Sequence, residues 1–379
     1  MPVRLKTVSR RMRSRAAGVS MKTPVRPEIQ ALSAYHVAEA DGMVKLDAME
    51  NPYAWPACLP EALQQQWLEV LRQARLNRYP DPHAKRLAAT IRDVFAVPAA
   101  SDIVLGNGSD ELIHLLITAV AAPDAVVLSV APGFVMYPMI ALFNRVKYVA
   151  VPLLAEDFSL DMAAMREAIE QYQPKVVFLA YPNNPTGNLF ARQQVEEIID
   201  RAPGWVVIDE AYAAFAADSF LSRLREFPNL LVMRTLSKMG LAGLRLGYLC
   251  AAPELVSELD KIRLPYNINS LTQLSAEFAL AHREILDQQA SALCRQRQQM
   301  MERLQDMPGL QVFPSQANFI LFRTQHKDAS GVFAALKQSG VLIKDLSATT
   351  ESLKGCLRVT IGLADENEKF LAALEMALG

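Results

Sequence analysis

Between residues 103 and 250, short and nearly uncharged runs alternate with helix-patterned stretches, and this alternation restricts the architectures open to the chain. The runs are Ile103–Leu105, Ala125–Val130, Tyr148–Val151, Lys175–Ala180, Trp205–Asp209, Leu230–Met233 and Gly247–Cys250. Each has the length of a strand, and helical patterns such as Met162–Gln171 and Arg192–Arg201 lie between most of them. A strand that is apolar on both faces must be covered on both, so the pattern predicts an α/β fold with a mostly parallel, seven-stranded sheet between helices.

Flanking segments complete the plan. Residues 27–53 read as an N-terminal arm that lies on something else. Pro60–Asn77 and His83–Phe95 read as helices parted by Tyr79-Pro-Asp-Pro82. Leu271–Met307 is helix-forming almost throughout and reads as one inter-domain helix. Beyond Pro308 come strands at Ala317–Arg323, Val341–Lys344 and Cys356–Ile361, with helices at Gly331–Gln338 and Glu366–Leu378. The resulting expectation is a large domain over 54–280 and a smaller α+β domain over 281–379.

Charge excludes some functions. The net charge is −1, which gives no overall attraction to nucleic acid or membrane. Residues 1–26 nevertheless hold eight of the 39 Lys and Arg and none of the 40 acids, so the rest nets −9. This basic segment lacks the apolar core of a secretory signal. It reads as a disordered tail or as residues ahead of an alternative start at Met21. Residues 125–144 carry no charge, yet Pro132, Gly133 and Pro138 argue against a membrane-spanning helix there. Four scattered cysteines without a CxxC pair suit reduced thiols in a cytoplasmic protein. No metal site is expected.

Several motifs fall at strand ends, where open α/β sheets bind ligands. Gly106-Asn-Gly-Ser-Asp-Glu111 joins a strand to a helix; it suits either a helix cap, with Ser109 capping and Glu111 in the first turn, or a phosphate resting on the N–H groups of Ser109 to Glu111. Tyr181-Pro-Asn-Asn-Pro-Thr-Gly-Asn188 is a turn, or a turn that aims an asparagine amide at a ligand. In Trp205-Val-Val-Ile-Asp-Glu-Ala-Tyr212, Asp209 ends a buried strand, where it either caps a helix or meets a cation. Arg234-Thr-Leu-Ser-Lys-Met-Gly-Leu-Ala-Gly-Leu-Arg-Leu-Gly247 sets Lys238 and Arg245 among small residues. Lys238 is then an exposed loop lysine or a Schiff-base lysine with a depressed pKa.

In this order and spacing, Asn-Asn-Pro-Thr-Gly, Asp-Glu-Ala-Tyr and Ser-Lys with an arginine seven residues on resemble the fold-type I pyridoxal-phosphate aminotransferases. Asn51-Pro-Tyr, Tyr79-Pro-Asp and Cys356-Leu-Arg-Val-Thr-Ile-Gly bring the chain nearest to the histidinol-phosphate aminotransferases, from about residue 28 to the end. The resemblance implies that Lys238 holds pyridoxal 5′-phosphate covalently and moves a proton during turnover. It implies that Asp209 pairs with the pyridinium nitrogen, that Asn184 and Tyr212 bond the ring's 3′-oxygen, and that Tyr137 stacks on the ring. The phosphate would rest on Ser109, Asp110, Ser237 and Arg245. Tyr79 would reach the cofactor phosphate of a partner subunit, making a homodimer, and Tyr35 would touch substrate across that interface. Arg358 would grip the substrate's anionic end. Where the family commonly carries a second arginine this chain has Lys344, which keeps the charge and loses the bidentate fork.

The implied reaction is amino transfer between histidinol phosphate and 2-oxoglutarate in histidine biosynthesis. The rivals are an aromatic or broad-specificity aminotransferase and a threonine-phosphate decarboxylase. A DNA-binding regulator with this fold would need a winged-helix domain ahead of it, for which about 27 residues are too few.

Overall fold

The structure is a computed structural model that describes residues 24–34 and 38–379. The chain divides into two units, residues 1–37 and 38–379. In the first, the described residues form one helical turn, Pro27–Gln30. Residues 1–23 of the basic tail and Tyr35 lie outside the described residues.

The second unit is built on a sheet of seven strands: β1 (Asp102–Asn107), β2 (Val126–Ala131), β3 (Lys147–Pro152), β4 (Val176–Ala180), β5 (Trp205–Asp209), β6 (Leu230–Thr235) and β7 (Leu246–Ala251). Their order is β1-β7-β6-β5-β4-β2-β3. Every neighbouring pair is parallel except the two made by β7, which runs against both β1 and β6. All seven expected strands are present.

Side chains alternate between two apolar layers, as a strand's twofold period requires. Leu128, Val177, Leu179, Val206 and Ile208 enter one core. Val127, Val176, Phe178, Val207 and Leu231 enter the other, under the helix Gly108–Val120. A fully buried side chain such as Phe178 stabilises by roughly 1.5–3 kcal/mol. The uncharged run 125–144 resolves into β2, a turn and the helix Met136–Phe143. Among the described residues no helix is long and apolar enough to cross a membrane.

The C-terminal part carries its own core, which includes Leu304, Phe319, Phe322, Val359 and Phe370. It surrounds a four-stranded antiparallel sheet of β8 (Leu310–Val312), β9 (Phe319–Thr324), β10 (Lys344–Asp345) and β11 (Cys356–Thr360), ordered β10-β11-β9-β8. The arm is fastened here: Val44–Lys45 pairs in parallel with Val341–Leu342, and Thr360 N donates to Leu46 O at 2.9 Å.

Three expectations need correction. The stretch Leu271–Met307 is two helices, Ser270–Ala281 and Arg283–Gln305, broken at His282. His282 leaves helical geometry (φ −119°, ψ 37°) while its Nδ1 lies 2.9 Å from Phe278 O. Val341–Lys344 is not one strand, because Val341–Leu342 pairs with the arm and Lys344–Asp345 pairs with β11. The helix after Pro60 spans Glu61–Arg72 and stops well before Asn77, leaving Leu76 exposed.

Candidate active site

The carboxyl ends of β1, β2, β4, β5 and β6 share one edge of the sheet, and antiparallel β7 begins there. A cavity of ≈ 240 Å³ opens at this edge. Its walls include Ser109, Asp110, Asn184, Asp209, Tyr212, Ser237, Lys238 and Arg245, together with Phe134 and residues 48–50 of the arm. Eight expected site residues therefore meet in one place.

Asp209 closes β5 and is buried at 3% exposure. Tyr137 Oη donates to its Oδ2 at 2.7 Å, and Ala211 N donates to its Oδ1 at 3.1 Å. Burial outweighs these two donors and pushes the carboxyl pKa up to about 6. A carboxylate so placed calls for a cation on its open side. The next residue shows how the chain treats a buried acid that has one. Glu210 is fully buried and accepts from Arg234 Nη2 at 2.7 Å and Nε at 2.9 Å, from Ser219 Oγ at 2.8 Å and from Phe220 N at 2.6 Å.

Lys238 follows β6 and is half-buried. Burial, and next the charge of Arg358, bring its amine down to about 8, so about a tenth is neutral and nucleophilic at pH 7, far more than for an ordinary lysine. Its Nζ donates to Ala48 O at 3.3 Å.

Asn184 lies between Tyr212 and Arg358. Its Nδ2 donates to Tyr212 Oη at 3.2 Å, and its Oδ1 accepts from Arg358 Nη1 at 2.6 Å. Arg358 also donates to Asp47 O at 3.1 Å and lies 5.2 Å from the centre of the Phe319 ring. Lys344 stands directly across from Arg358 on β10, so both side chains leave the same face of the sheet; Lys344 is exposed where Arg358 is buried.

The phosphate-type cradle is built by two glycines. A Cβ at Gly247 would lie 2.7 Å from Gly108 C and 2.8 Å from Ser109 N, so only hydrogen lets the β1 turn pack on β7. Gly108 sits at φ +76°, and a Cβ there would lie 2.7 Å from Arg245 Nη2. The helix Gly108–Val120 starts at this point, leaving its first N–H groups without intrahelical acceptors. Arg245 is exposed and reaches Asp110 Oδ2 at 3.3 Å. Asn107, rather than Ser109, holds the N-cap position, and Glu111 turns back onto Asn107 N.

One tyrosine departs from expectation. Tyr137 does not face the cavity. It lies in the first turn of Met136–Phe143 with its ring stacked 4.7 Å from Phe178 and its hydroxyl on Asp209. Besides Tyr212, the cavity wall carries the aromatic Phe134, three residues before Tyr137. Tyr79 is 80% exposed and stacks at 4.5 Å on Tyr266, away from this chain's own cavity lining. Sequence reasoning missed Phe134 and the arm carbonyls. The Pro132-Gly-Phe134 turn at the end of β2 was the available signal for Phe134.

The donor set suits pyridoxal 5′-phosphate: a carboxylate in need of a cation, a depressed amine, an asparagine–tyrosine pair and an anion cradle share one cavity. Residues 41–374 match the family described as aminotransferase class I and II. The chain is 54% identical, over 93% of its length and 96% of the relative's, to histidinol-phosphate aminotransferase 2 of Nitrosococcus oceani. It is 53% identical over 93% of its length to the histidinol-phosphate aminotransferase of Chromobacterium violaceum, covering 97% of that protein. The fold superposes with a TM-score of 0.81 on the histidinol-phosphate aminotransferase of Sinorhizobium meliloti in complex with pyridoxal-5′-phosphate, at 23% identity, covering 95% of this chain and 99% of that one. At that identity the likeness is one of fold.

Proposed function

The chain belongs to the class I and II aminotransferases, which depend on pyridoxal 5′-phosphate, and on that premise we propose that it transfers an amino group between histidinol phosphate and 2-oxoglutarate. In the biosynthetic direction glutamate is the donor and imidazole-acetol phosphate the acceptor. One observation carries the chemistry: the depressed amine of Lys238 and the buried carboxylate of Asp209 line the same cavity. The choice of substrate rests on the relatives at 53–54% identity.

The cofactor supplies a carbonyl that captures amines and a ring that accepts electron density released at the substrate carbon. Lys238 holds it when no substrate is bound. Once displaced, Lys238 Nζ would carry the proton from the substrate's α-carbon to the carbonyl carbon of the cofactor, and in the opposite sense in the second half-reaction. Asp209 would hold the positive end of the ring, Asn184 and Tyr212 the oxygen beside the carbonyl, and Phe134 one ring face. Ser109, Asp110, Ser237 and Arg245 would hold the phosphate. Arg358 takes the anionic group of either substrate, and Lys344, on the same face, adds charge without a bidentate fork.

The active enzyme is a homodimer in the cytoplasm. The exposed pair Tyr79–Tyr266, with exposed Leu76 and Leu264, forms part of the subunit contact, and Tyr79 completes the partner's phosphate site. Steady-state rates with histidinol phosphate and with phenylalanine, each against 2-oxoglutarate, test the substrate. We expect histidinol phosphate to have much the larger kcat/KM; an equal or larger value for phenylalanine would make this an aromatic aminotransferase. Release of carbon dioxide from threonine phosphate would make it a decarboxylase.

A further inference from the structure

The arm touches the site with its backbone, and consecutive residues do so in turn. Asp47 O accepts from Arg358 Nη2 at 3.1 Å, and Ala48 O accepts from Lys238 Nζ at 3.3 Å. Met49, at φ +53°, accepts at its O from Asn318 Nδ2 at 3.0 Å and donates from its N to Thr360 Oγ1 at 3.0 Å. The segment is thus a strap that receives two cations of the site, Arg358 and Lys238, on adjacent carbonyls. It is tied to the C-terminal sheet on one side.

On the other side a single side chain ties it to the Lys238 turn. Asn51 Nδ2 donates to Met239 O at 3.1 Å and to Gln289 Oε1 at 3.3 Å, while its Oδ1 accepts from Tyr53 N at 2.9 Å. Gln289 is itself buried and donates to Cys58 Sγ at 3.3 Å. Gly240 follows at φ +119°, and a Cβ there would come 3.1 Å from Asn51 Nδ2, so the amide packs against a turn that only glycine makes without strain. We infer that Asn51 is a positioning residue for Lys238: its amide pins the carbonyl that follows the lysine to the strap whose Ala48 carbonyl receives the lysine's amine. Asn51 touches no reacting atom. It fixes the lysine's backbone and the acceptor of its side chain to each other, and a base that must reach one carbon needs both ends held.

The inference rests on Lys238 being the cofactor lysine, which Lys238→Ala tests separately by loss of the visible absorption of the loaded enzyme. If that variant kept the absorption, the reading of the site would fail, whatever Asn51 does. For Asn51→Ala in the loaded enzyme, two quantities report position: the pH midpoint of the visible absorption, and kcat against KM for 2-oxoglutarate. We expect the midpoint to rise by about 0.5–1 pH unit as the lysine gains water. We expect kcat to fall roughly ten- to hundred-fold with KM within about twofold. A core truncation in the helix Arg192–Arg201, Ile198→Ala, should lower the unfolding temperature and leave both quantities unmoved. Gln289→Met removes the acceptor that orients the Asn51 amide and should shift both in the same direction by less; it decides the matter if Asn51→Ala does not fold. An unfolding temperature lowered with midpoint and kcat unchanged would make Asn51 a purely structural residue and overturn the inference.

Discussion

Asp209→Asn separates a cofactor-binding carboxylate from a structural one, because the two roles give stability effects of opposite sign. In the cofactor-free chain the pKa of Asp209 rises from 3.8 to about 6 on folding, chiefly through burial. The folded state therefore binds the proton more tightly than the unfolded state. The ionised carboxyl destabilises the fold, and the penalty grows as pH rises from about 4 to about 6 and is complete above it. Two pKa units correspond to about 3 kcal/mol, an upper bound because the asparagine must find partners for its own N–H groups. We expect Asp209→Asn to stabilise the cofactor-free protein by about 1–3 kcal/mol at pH 8 and to have no stabilising effect at pH 4. Loading the cofactor should reverse the order, since the carboxylate then meets a cation and the amide cannot. Urea unfolding of both proteins, with and without cofactor, at pH 4 and pH 8 measures all the differences. The variant should also lose most of its turnover while still binding cofactor. A variant less stable than the parent in both states at pH 8, or a difference that ignores pH between 4 and 6, would refute the argument.

Other residues give sharper local tests. Gly247→Ala places a Cβ 2.7 Å from Gly108 C and 2.8 Å from Ser109 N, backbone atoms that cannot swing aside, so cofactor affinity should fall by about tenfold or more in a titration followed by visible absorption. Lys344→Arg should raise kcat/KM for histidinol phosphate by a few-fold, roughly 1 kcal/mol, and leave the phenylalanine rate alone; equal effects on both would remove Lys344 from phosphate recognition.

The large sheet was legible because its strands are buried on both faces, and a run such as Val176–Ala180 has no other economical reading. Asp209, Lys238, Asn184 and Arg245 were legible because each is a polar residue at the end of such a run. What escaped lacked a side-chain signature. The carbonyls of Asp47 and Ala48 would look the same under any residue type. Phe134 and Tyr137 are aromatics three positions apart, and the sequence does not say which of them faces the cavity. The break at His282 has no glycine or proline to mark it; the histidine's own side chain makes the alternative contact with Phe278 O.

The antiparallel course of β7 has a consequence for how the site can vary. Thr235 pairs with Gly247, and Leu236 N donates to Leu246 O at 3.0 Å, so the chain leaves the sheet and returns to it at one clasp. Lys238 and Arg245 flank that clasp on its two legs. The span between Lys238 and Arg245 is accordingly a property of strand register, while residues 241–243 form the far bend. A slip of one residue between β6 and β7 should abolish the site, and the bend itself is held as well, since Leu241 is buried and Ala242 lines the cavity.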